Sequence, residues 1–480
     1  MSNETLAVSE VALSNEVARI FAAQKKFAPS LRHSTAQQRI AKLKALKQLV
    51  LEHREEIHDA VYKDFRKAPA EADLGETLNI LSSITHACKH LHKWMKPRRV
   101  PTPLNLVGSS SRIVYEPKGV VLIISPWNYP FNLAIDPLVY AIAAGNTAIL
   151  KPSEITPHTS ALIKRMLAKL FKEEEVAVFE GDASVATELL KQPFDHIFFT
   201  GSPQLGKVVM RAAAENLTSV TLELGGKSPV VVDETTDLQD AANKITYGKF
   251  LNCGQTCIAP DYVLVHDSVK DNFVETMRKT IQQFYGDKGD VQQSTSLPRI
   301  VNQRHFNRVK KLLDDAITKG AQVAEGGQAD ASDNYVAPTL LTNVSDEMEV
   351  MHEEIFGPIL PIKSYKTLQE ATDYINTKPK PLAMYIFGKS KQNREFLLKN
   401  TTAGGTSVNE TLMHIANPDL PFGGVNNSGI GKTHGLHGFI GFSNERAVLT
   451  RWGLSGLIKG LYPPYTAKTM SQIKMFLKMS

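Results

Sequence analysis

Cysteine is scarce in this chain. Cys88, Cys253 and Cys257 are the only thiols in 480 residues, too few for a disulfide framework. The opening MSNETLAVSEVALSNEVARI has no basic segment followed by an apolar stretch, so no secretory leader is expected and a reducing cytoplasm is the expected compartment. Charge of one sign does not gather either. The 55 Lys and Arg against 49 Asp and Glu leave a formal net charge of +6, spread along the sequence, which excludes a nucleic-acid footprint and points to small-molecule ligands. Internal repeats and low-complexity tracts are absent. One row imitates a membrane span: GVVLIISPWNYPFNLAIDPLVYAIAAG, Gly119 to Gly145, has Asp136 as its single charge. Pro126, Pro130 and Pro137, with Asn128 and Asn132, divide it. Unpaired backbone is costly in lipid, so a strand, a loop and a buried helix are expected, with no transmembrane segment. The G-x-G-x-x-G fingerprint of dinucleotide folds is also missing between the first strand and helix of the sheet.

What is present is enough for two or three domains, since a chain this long, with 42% apolar residues, exceeds what one core serves. Ser34 and Thr35 precede Gln37 and Gln38 in capping-box spacing, and Ile40, Leu43, Leu46, Val50, Ile57, Val61 and Phe65 follow with helical period. From about Gly119 the apolar runs GVVLIIS, NTAIL, VAVFE, DHIFF and SVTLEL alternate with helical segments such as 158–172 and 204–216. A second series, PVVV, YVLVH, APTLLTNV, ILPIKSY and LAMYIFG, runs from about 229 to 408. Alternation of this kind predicts an α/β fold: a Rossmann-like parallel-sheet cofactor domain, a second α/β catalytic domain and a small bridging, oligomerising element. The expected divisions are 1–95 with 120–223, 224–407, and 96–119 with 408–480. In the last, KPRRVPTPLNLVGSSSRIVYEPKGV reads as a linker and then a strand that pairs outside the main sheet.

Two of the three thiols stand within five positions in NCGQTCIAP, in C-x3-C spacing. Zinc pairs favour C-x2-C with further ligands nearby, and the nearest histidine, His266, lies on a predicted strand; no metal site is expected. A dithiol redox pair prefers C-x-x-C. Core packing and nucleophilic attack remain. Glu223 ends an apolar strand ahead of Gly225 and Gly226, which allow close backbone approach. Trp127 and Asn128 follow the first parallel strand, where open α/β sheets bind ligands, and an amide there can donate to a developing oxyanion. In TGSPQLG, Gly201 and Ser202 open a helix whose N-terminus favours anions.

Seven motifs in order, PWNYP, KPSE, FFTGSPQLG, LELGGKSP, GQTCIAPDY, EEIFGPILP and PFGGVNNSGIGKTHG, make the chain resemble the aldehyde dehydrogenases over roughly 20 to 455. IAPDY, SGIGKTHG and the late YPPY resemble the class-three branch, which includes fatty, benzaldehyde-type and coniferyl aldehyde dehydrogenases. The resemblance implies Cys257 as the nucleophile that forms a thiohemiacetal and then a thioester, Asn128 with the Cys257 N–H as oxyanion holder, and Glu223 as activator of the hydrolytic water. It implies NAD as cofactor, with some use of NADP. Lys151 and Glu154 would meet the adenosine ribose, Gly201 and Ser202 the pyrophosphate, and Glu354 and Phe356 the nicotinamide ribose and ring, with Trp127 and Gly225 beside them.

The implied substrates are medium-chain aliphatic or aromatic aldehydes and the implied assembly a homodimer. An acylating enzyme that passes its thioester to coenzyme A, and a binding protein that keeps the fold without turnover, are the alternatives; Glu223 counts against the first and the intact Cys257, Asn128 and Glu223 against the second. Where class-three relatives carry serine, this chain has Cys253, expected as a packing residue. The terminal LIKGLYPPYTAKTMSQIKMFLKMS lacks an apolar span; a docking helix is expected ahead of a weak membrane-surface contact.

Overall fold

The structure is a computed structural model that describes residues 3–103, 106, 108–286, 289–452 and 461–479. The LIKG of the terminal stretch, 457–460, lies outside them.

Thr35 closes the expected capping box with Gln38 and starts the helix Ala36–Glu52. That helix and Leu78–Trp94 cover one face of a six-stranded sheet. Its strands run in the order Gly429–Ile430, Ser219–Leu224, His196–Gly201, Val120–Ile124, Thr147–Lys151 and Val176–Val178. Only the first is antiparallel to its neighbour. Side chains of a strand alternate in direction, and here Val121 and Ile123 join Leu43, Leu46, Ile80 and Leu138 on one face. Val120, Leu122 and Ile124 join Val17, Ile20 and Phe21 of the long first helix on the other. Both faces are buried, which is why GVVLIIS reads as one apolar run.

The chain enters this sheet at Val120–Ile124, adds two strands to one side and returns with His196–Gly201 on the other. The carboxyl ends of those two central strands therefore diverge in topology, leaving the crevice in which such sheets bind ligands. PWNYP leaves one end and GSPQLG the other. The predicted membrane mimic resolves as the strand Val120–Ile124, a turn, and the buried helix Asn132–Ala144, which keeps Pro137 inside it.

A seven-stranded sheet follows, in the order Gln322–Glu325, Thr339–Thr342, Ile359–Tyr365, Pro260–His266, Ser228–Val232, Ala383–Phe387 and Gly405–Val408. All pairs but the first are parallel. A third, antiparallel sheet joins Arg98–Val100, Ser109–Pro117 and Ser443–Arg451, so the strand after the linker does pair outside the main sheets. The helix expected at 204–216 is Pro203–Glu215, because Ser202 caps it and Pro203 takes its first turn, where a missing N–H is harmless. Sequence reading passed over the short strands Gln322–Glu325, Gly405–Val408 and Gly429–Ile430; with two to four residues each they carry too little periodicity to register. The terminal helix Ala467–Met479 forms, burying Thr469 and exposing Met470, Met475 and Leu477. Among the described residues no helix is long and apolar enough to cross a membrane.

Candidate active site

A cleft of about 810 Å³ opens between the two parallel sheets, and Trp127, Asn128, Gly201, Ser202, Glu223, Gly225, Cys257, Glu354 and Phe356 all line it. Lys151 and Glu154 do not. They stand at the carboxyl end of Thr147–Lys151, joined to each other by a 2.7 Å ion pair.

The thiol loop owes its shape to NCG. Asn252, Cys253 and Gly254 take left-handed backbone in succession, at φ of 52°, 55° and 73°, a run that side chains other than glycine resist. Buried hydrogen bonds hold it there. The Asn252 N–H donates to Glu71 Oε1 at 2.7 Å, and Asn252 Nδ2 donates to Asn128 O at 2.8 Å and Gln255 O at 3.1 Å. Gln255 answers from its own side chain, donating to Asn252 O and Arg299 O and accepting from Val301 N. The turn separates the two thiols. Cys253 is sealed among Val231, Tyr262 and Ile300, as a packing residue should be, whereas Cys257 lies at the margin of another cluster and faces the cleft. Asn128 Nδ2 donates to Gln255 O at 3.0 Å, which leaves its second amide hydrogen for another acceptor.

Electrostatics around Cys257 are unusual. Burial pushes its thiol up to about 12, and Glu354 and Glu223 add to the rise, while the N–H groups of Cys257 and Ile258 oppose it. Glu223 is raised well above the usual carboxylate range by burial, with Lys432 pulling the other way. Neither Glu223 oxygen has a hydrogen-bond partner among the described residues. Buried polar atoms are nearly always paired, so an orphan carboxyl on a cleft marks a group kept free for something that enters. Glu354 is raised to about 8, again chiefly by burial, and accepts from the Gly226 N–H.

Part of the cleft wall is built from absences of side chain. A Cβ on Gly225 would come within 2.1 Å of Glu354 Oε2, and one on Gly201 within 2.5 Å of the Phe199 ring. Ser202 caps Leu205 N at 3.4 Å, and Pro203 has no N–H, so the first turn of Pro203–Glu215 presents few but oriented donors toward the cleft. Phe356 holds left-handed backbone at φ 46° with its ring edge-on to Trp127 at 5.3 Å. Bare main chain, a helix N-terminus and a carboxylate in one cleft fit a dinucleotide.

Several supports escaped the sequence reading. Lys227 of LELGGKSP pairs with Asp261 of CIAPDY and donates to Val350 O at 2.8 Å and Glu353 O at 2.9 Å. Asp261 in turn accepts from Ile355 N at 2.9 Å, so one buried pair ties three of the motifs together. Arg308 donates to Glu354 O and Ile355 O, and His305 packs on Trp127 at 4.7 Å. Lys432 reaches the Glu223 neighbourhood because Gly429–Ile430 pairs with the strand that carries Glu223. The adjacency of GGK and PDY in the finished fold was the missing signal.

A doubly covered parallel sheet with a crevice at its switch point, and a thiol facing that crevice from a second sheet, is the build of an α/β oxidoreductase. The chain belongs to the aldehyde dehydrogenase family, whose model matches residues 1–448. It is 45% identical over 437 residues to the 4,4'-diaponeurosporen-aldehyde dehydrogenase of Staphylococcus aureus, covering 91% of this chain and 94% of that one. It is 43% identical to human "Aldehyde dehydrogenase family 3 member B1", with 91% and 92% covered, and 43% identical to "Probable coniferyl aldehyde dehydrogenase" of Pseudomonas aeruginosa, with 97% of each covered. Among solved structures, the substrate-bound state of Staphylococcus aureus AldH superposes with a TM-score of 0.91 at 43% identity, covering 96% of this chain and 99% of that one. The class-three likeness read from IAPDY and SGIGKTHG is borne out, and the chain is an oxidoreductase acting on aldehydes.

Proposed function

We propose that the chain oxidises medium-chain aliphatic or aromatic aldehydes to carboxylic acids through a covalent adduct on Cys257, with NAD as preferred cofactor. One observation carries the reading: of three thiols, only Cys257 lines the cleft, and Asn128, Glu223 and Glu354 line the same cleft. The Cys257 sulfur attacks the aldehyde carbon. The free Asn128 amide hydrogen and the Cys257 N–H hold the oxygen as charge develops on it. NAD, held by Gly201, Ser202, Gly225, Glu354 and Phe356 with Lys151 and Glu154 at the adenosine end, supplies the hydride acceptor when bound. Glu223 then takes a proton from the water that attacks the thioester; acid leaves and the thiol is restored.

Apolar Leu133, Leu251, Leu412, Ile415 and Phe422 in the cleft wall support an apolar substrate, and relatives whose names specify a coniferyl or a diaponeurosporen aldehyde point the same way. The nine-residue edge strand Ser443–Arg451, with Leu449 exposed, supports a homodimer in which such edges are covered. A cytoplasmic setting and the division into 1–95 with 120–223, 224–407, and 96–119 with 408–480 complete the reading. The test is the absorbance of reduced nicotinamide, with NAD or NADP, against hexanal, benzaldehyde, glycolaldehyde and betaine aldehyde and without coenzyme A. Preference for the last two substrates, or a requirement for coenzyme A, would overturn it.

A further inference from the structure

Lys67 and Glu76 form an ion pair at 2.6 Å with both side chains wholly buried. Such pairs contribute little to stability, because desolvation offsets the attraction; replacing both partners by apolar residues of similar volume is often neutral or stabilising. Their retention calls for another reason, and the remaining hydrogen bonds supply it. Lys67 Nζ also donates to Asn128 O at 3.3 Å and sits 4.1 Å from the centre of the Tyr129 ring. Glu76 Oε2 accepts the Asn132 N–H at 2.9 Å. Asn132 opens the helix Asn132–Ala144, whose N-cap, Phe131, offers no side-chain bond, so Glu76 satisfies from outside a donor the helix leaves orphaned. The pair grips both ends of the turn from Asn128 to Asn132.

Glu76 reaches that turn because Asp73–Thr77 is a π-helical turn inserted between Pro69–Ala72 and Leu78–Trp94. Such bulges re-aim side chains and recur at functional sites. From the same segment Glu71 holds the Asn252 N–H, and Asn252 Nδ2 shares the Asn128 carbonyl with Lys67. A short stretch of the N-terminal region is thus bonded to the oxyanion donor's turn and to the nucleophile's loop at once.

We propose that Lys67 and Glu76 are positioning residues for aldehyde addition, setting the orientation of Asn128 toward the oxygen of the substrate. This rests on the reading of Asn128 as oxyanion donor. The test is a four-member cycle: wild type, Asn128→Ala, the double variant Lys67→Met with Glu76→Leu, and all three changes together. Each is mixed rapidly with NAD and hexanal, and the rate of the first turnover of reduced nicotinamide is read. Alkylation of Cys257 by iodoacetamide, which needs no oxyanion donor, is read alongside.

Removing an oxyanion donor costs roughly 10²–10³-fold, so Asn128→Ala should fall on that order. The double variant should lose at least about tenfold, a part of that effect. In the Asn128→Ala background the same two changes should lose nothing more, since there is no amide left to orient. Alkylation should keep its wild-type rate throughout.

An equal loss in both backgrounds, an unchanged first turnover, or slowed alkylation would each overturn the proposal. A normal first turnover in Asn128→Ala would instead overturn the reading beneath it. If the double variant does not fold, Glu76→Gln takes its place in the cycle: it keeps an acceptor for Asn132 N while removing the charge that holds Lys67, and the same outcomes decide.

Discussion

If Glu223 activates the hydrolytic water as proposed, Glu223→Gln should separate the two halves of the reaction. The substitution is isosteric, and because neither carboxylate oxygen has a partner among the described residues, no hydrogen bond of the fold is broken. Thiol, Asn128 and cofactor cradle stay in place, so the first hydride transfer should proceed. Deacylation should stall, since general-base assistance is typically worth about 10²–10⁴-fold. Rapid mixing with NAD should then show a burst near one equivalent of reduced nicotinamide per Cys257, a steady rate slower by that factor, and an acyl adduct on Cys257 by intact mass. The direction of the Glu223 shift adds a second signature. A base works only when ionised, and its pKa is raised by burial, so wild-type turnover should fall as pH drops through that raised value and the variant should lose this limb. Stability moves oppositely. The folded protein holds the Glu223 proton more tightly than the unfolded chain, so wild-type stability declines as pH rises between the unfolded and folded values. Glu223→Gln should therefore gain thermal stability over wild type, and the gain should grow as pH rises from the ordinary carboxylate range toward the raised value. Full steady activity with no burst would refute the argument and make Glu223 a structural acid.

Other outcomes follow from the same geometry. Cys257→Ala should abolish aldehyde oxidation, while Cys253→Ser should keep most of it and lose about 1–3 kcal/mol in denaturant unfolding, the cost of a hydroxyl in an apolar pocket; the reverse would exchange their roles. Glu154→Gln removes a negative charge and frees Lys151 from its 2.7 Å partner, so the ratio of kcat/KM for NADP over NAD should rise; an unchanged ratio would take Glu154 out of the ribose site. Lys227→Met breaks a buried pair and leaves Asp261 uncompensated, a loss of roughly 3–5 kcal/mol, and should weaken NAD binding in fluorescence titration because the loop with Glu354 and Phe356 loses its anchor. Normal NAD affinity in a destabilised variant would confine Lys227 to folding.

The legible and illegible parts of the molecule divide along a physical line. Strands such as Val120–Ile124 and Ser228–Val232 announce themselves because both faces of each parallel sheet are covered, which demands unbroken apolar runs. Glu223 was readable as a strand-end acid ahead of Gly225 and Gly226, and Asn128 as a residue just past the first parallel strand, while Cys257 stood out through the order of the seven motifs. What could not be read were pairings across long stretches of chain. Lys227 meets Asp261 34 residues on, Lys67 donates to Asn128 O 61 residues on, and Gly429 lies opposite Glu223. A buried lysine looks in sequence like any surface lysine. Its burial is a property of the assembled core, and only its partner makes that burial tolerable.

Strain follows the same map. Among the described residues, six that are neither glycine nor asparagine adopt positive φ: Arg66, Leu217, Cys253, Phe356, Leu412 and His434. Of these, Phe356, Leu412 and His434 line the cleft, and Cys253 lies in the loop that delivers Cys257. Each such residue costs on the order of 1–3 kcal/mol and persists only where surrounding contacts over-determine it. The orphan carboxyl of Glu223 is a further cost at the same place. Against these stand the buried Lys67–Glu76 and Lys227–Asp261 pairs, which hold the strained loops; Lys67, Glu76 and Asp261 do so from behind, and Lys227 from the cleft wall. The cleft is thus the least relaxed part of a well-packed molecule, and its fastening comes largely from buried ion pairs. Stabilising substitutions should therefore be easiest to find within the cleft itself, Glu223→Gln first among them, and each should slow the step its residue serves.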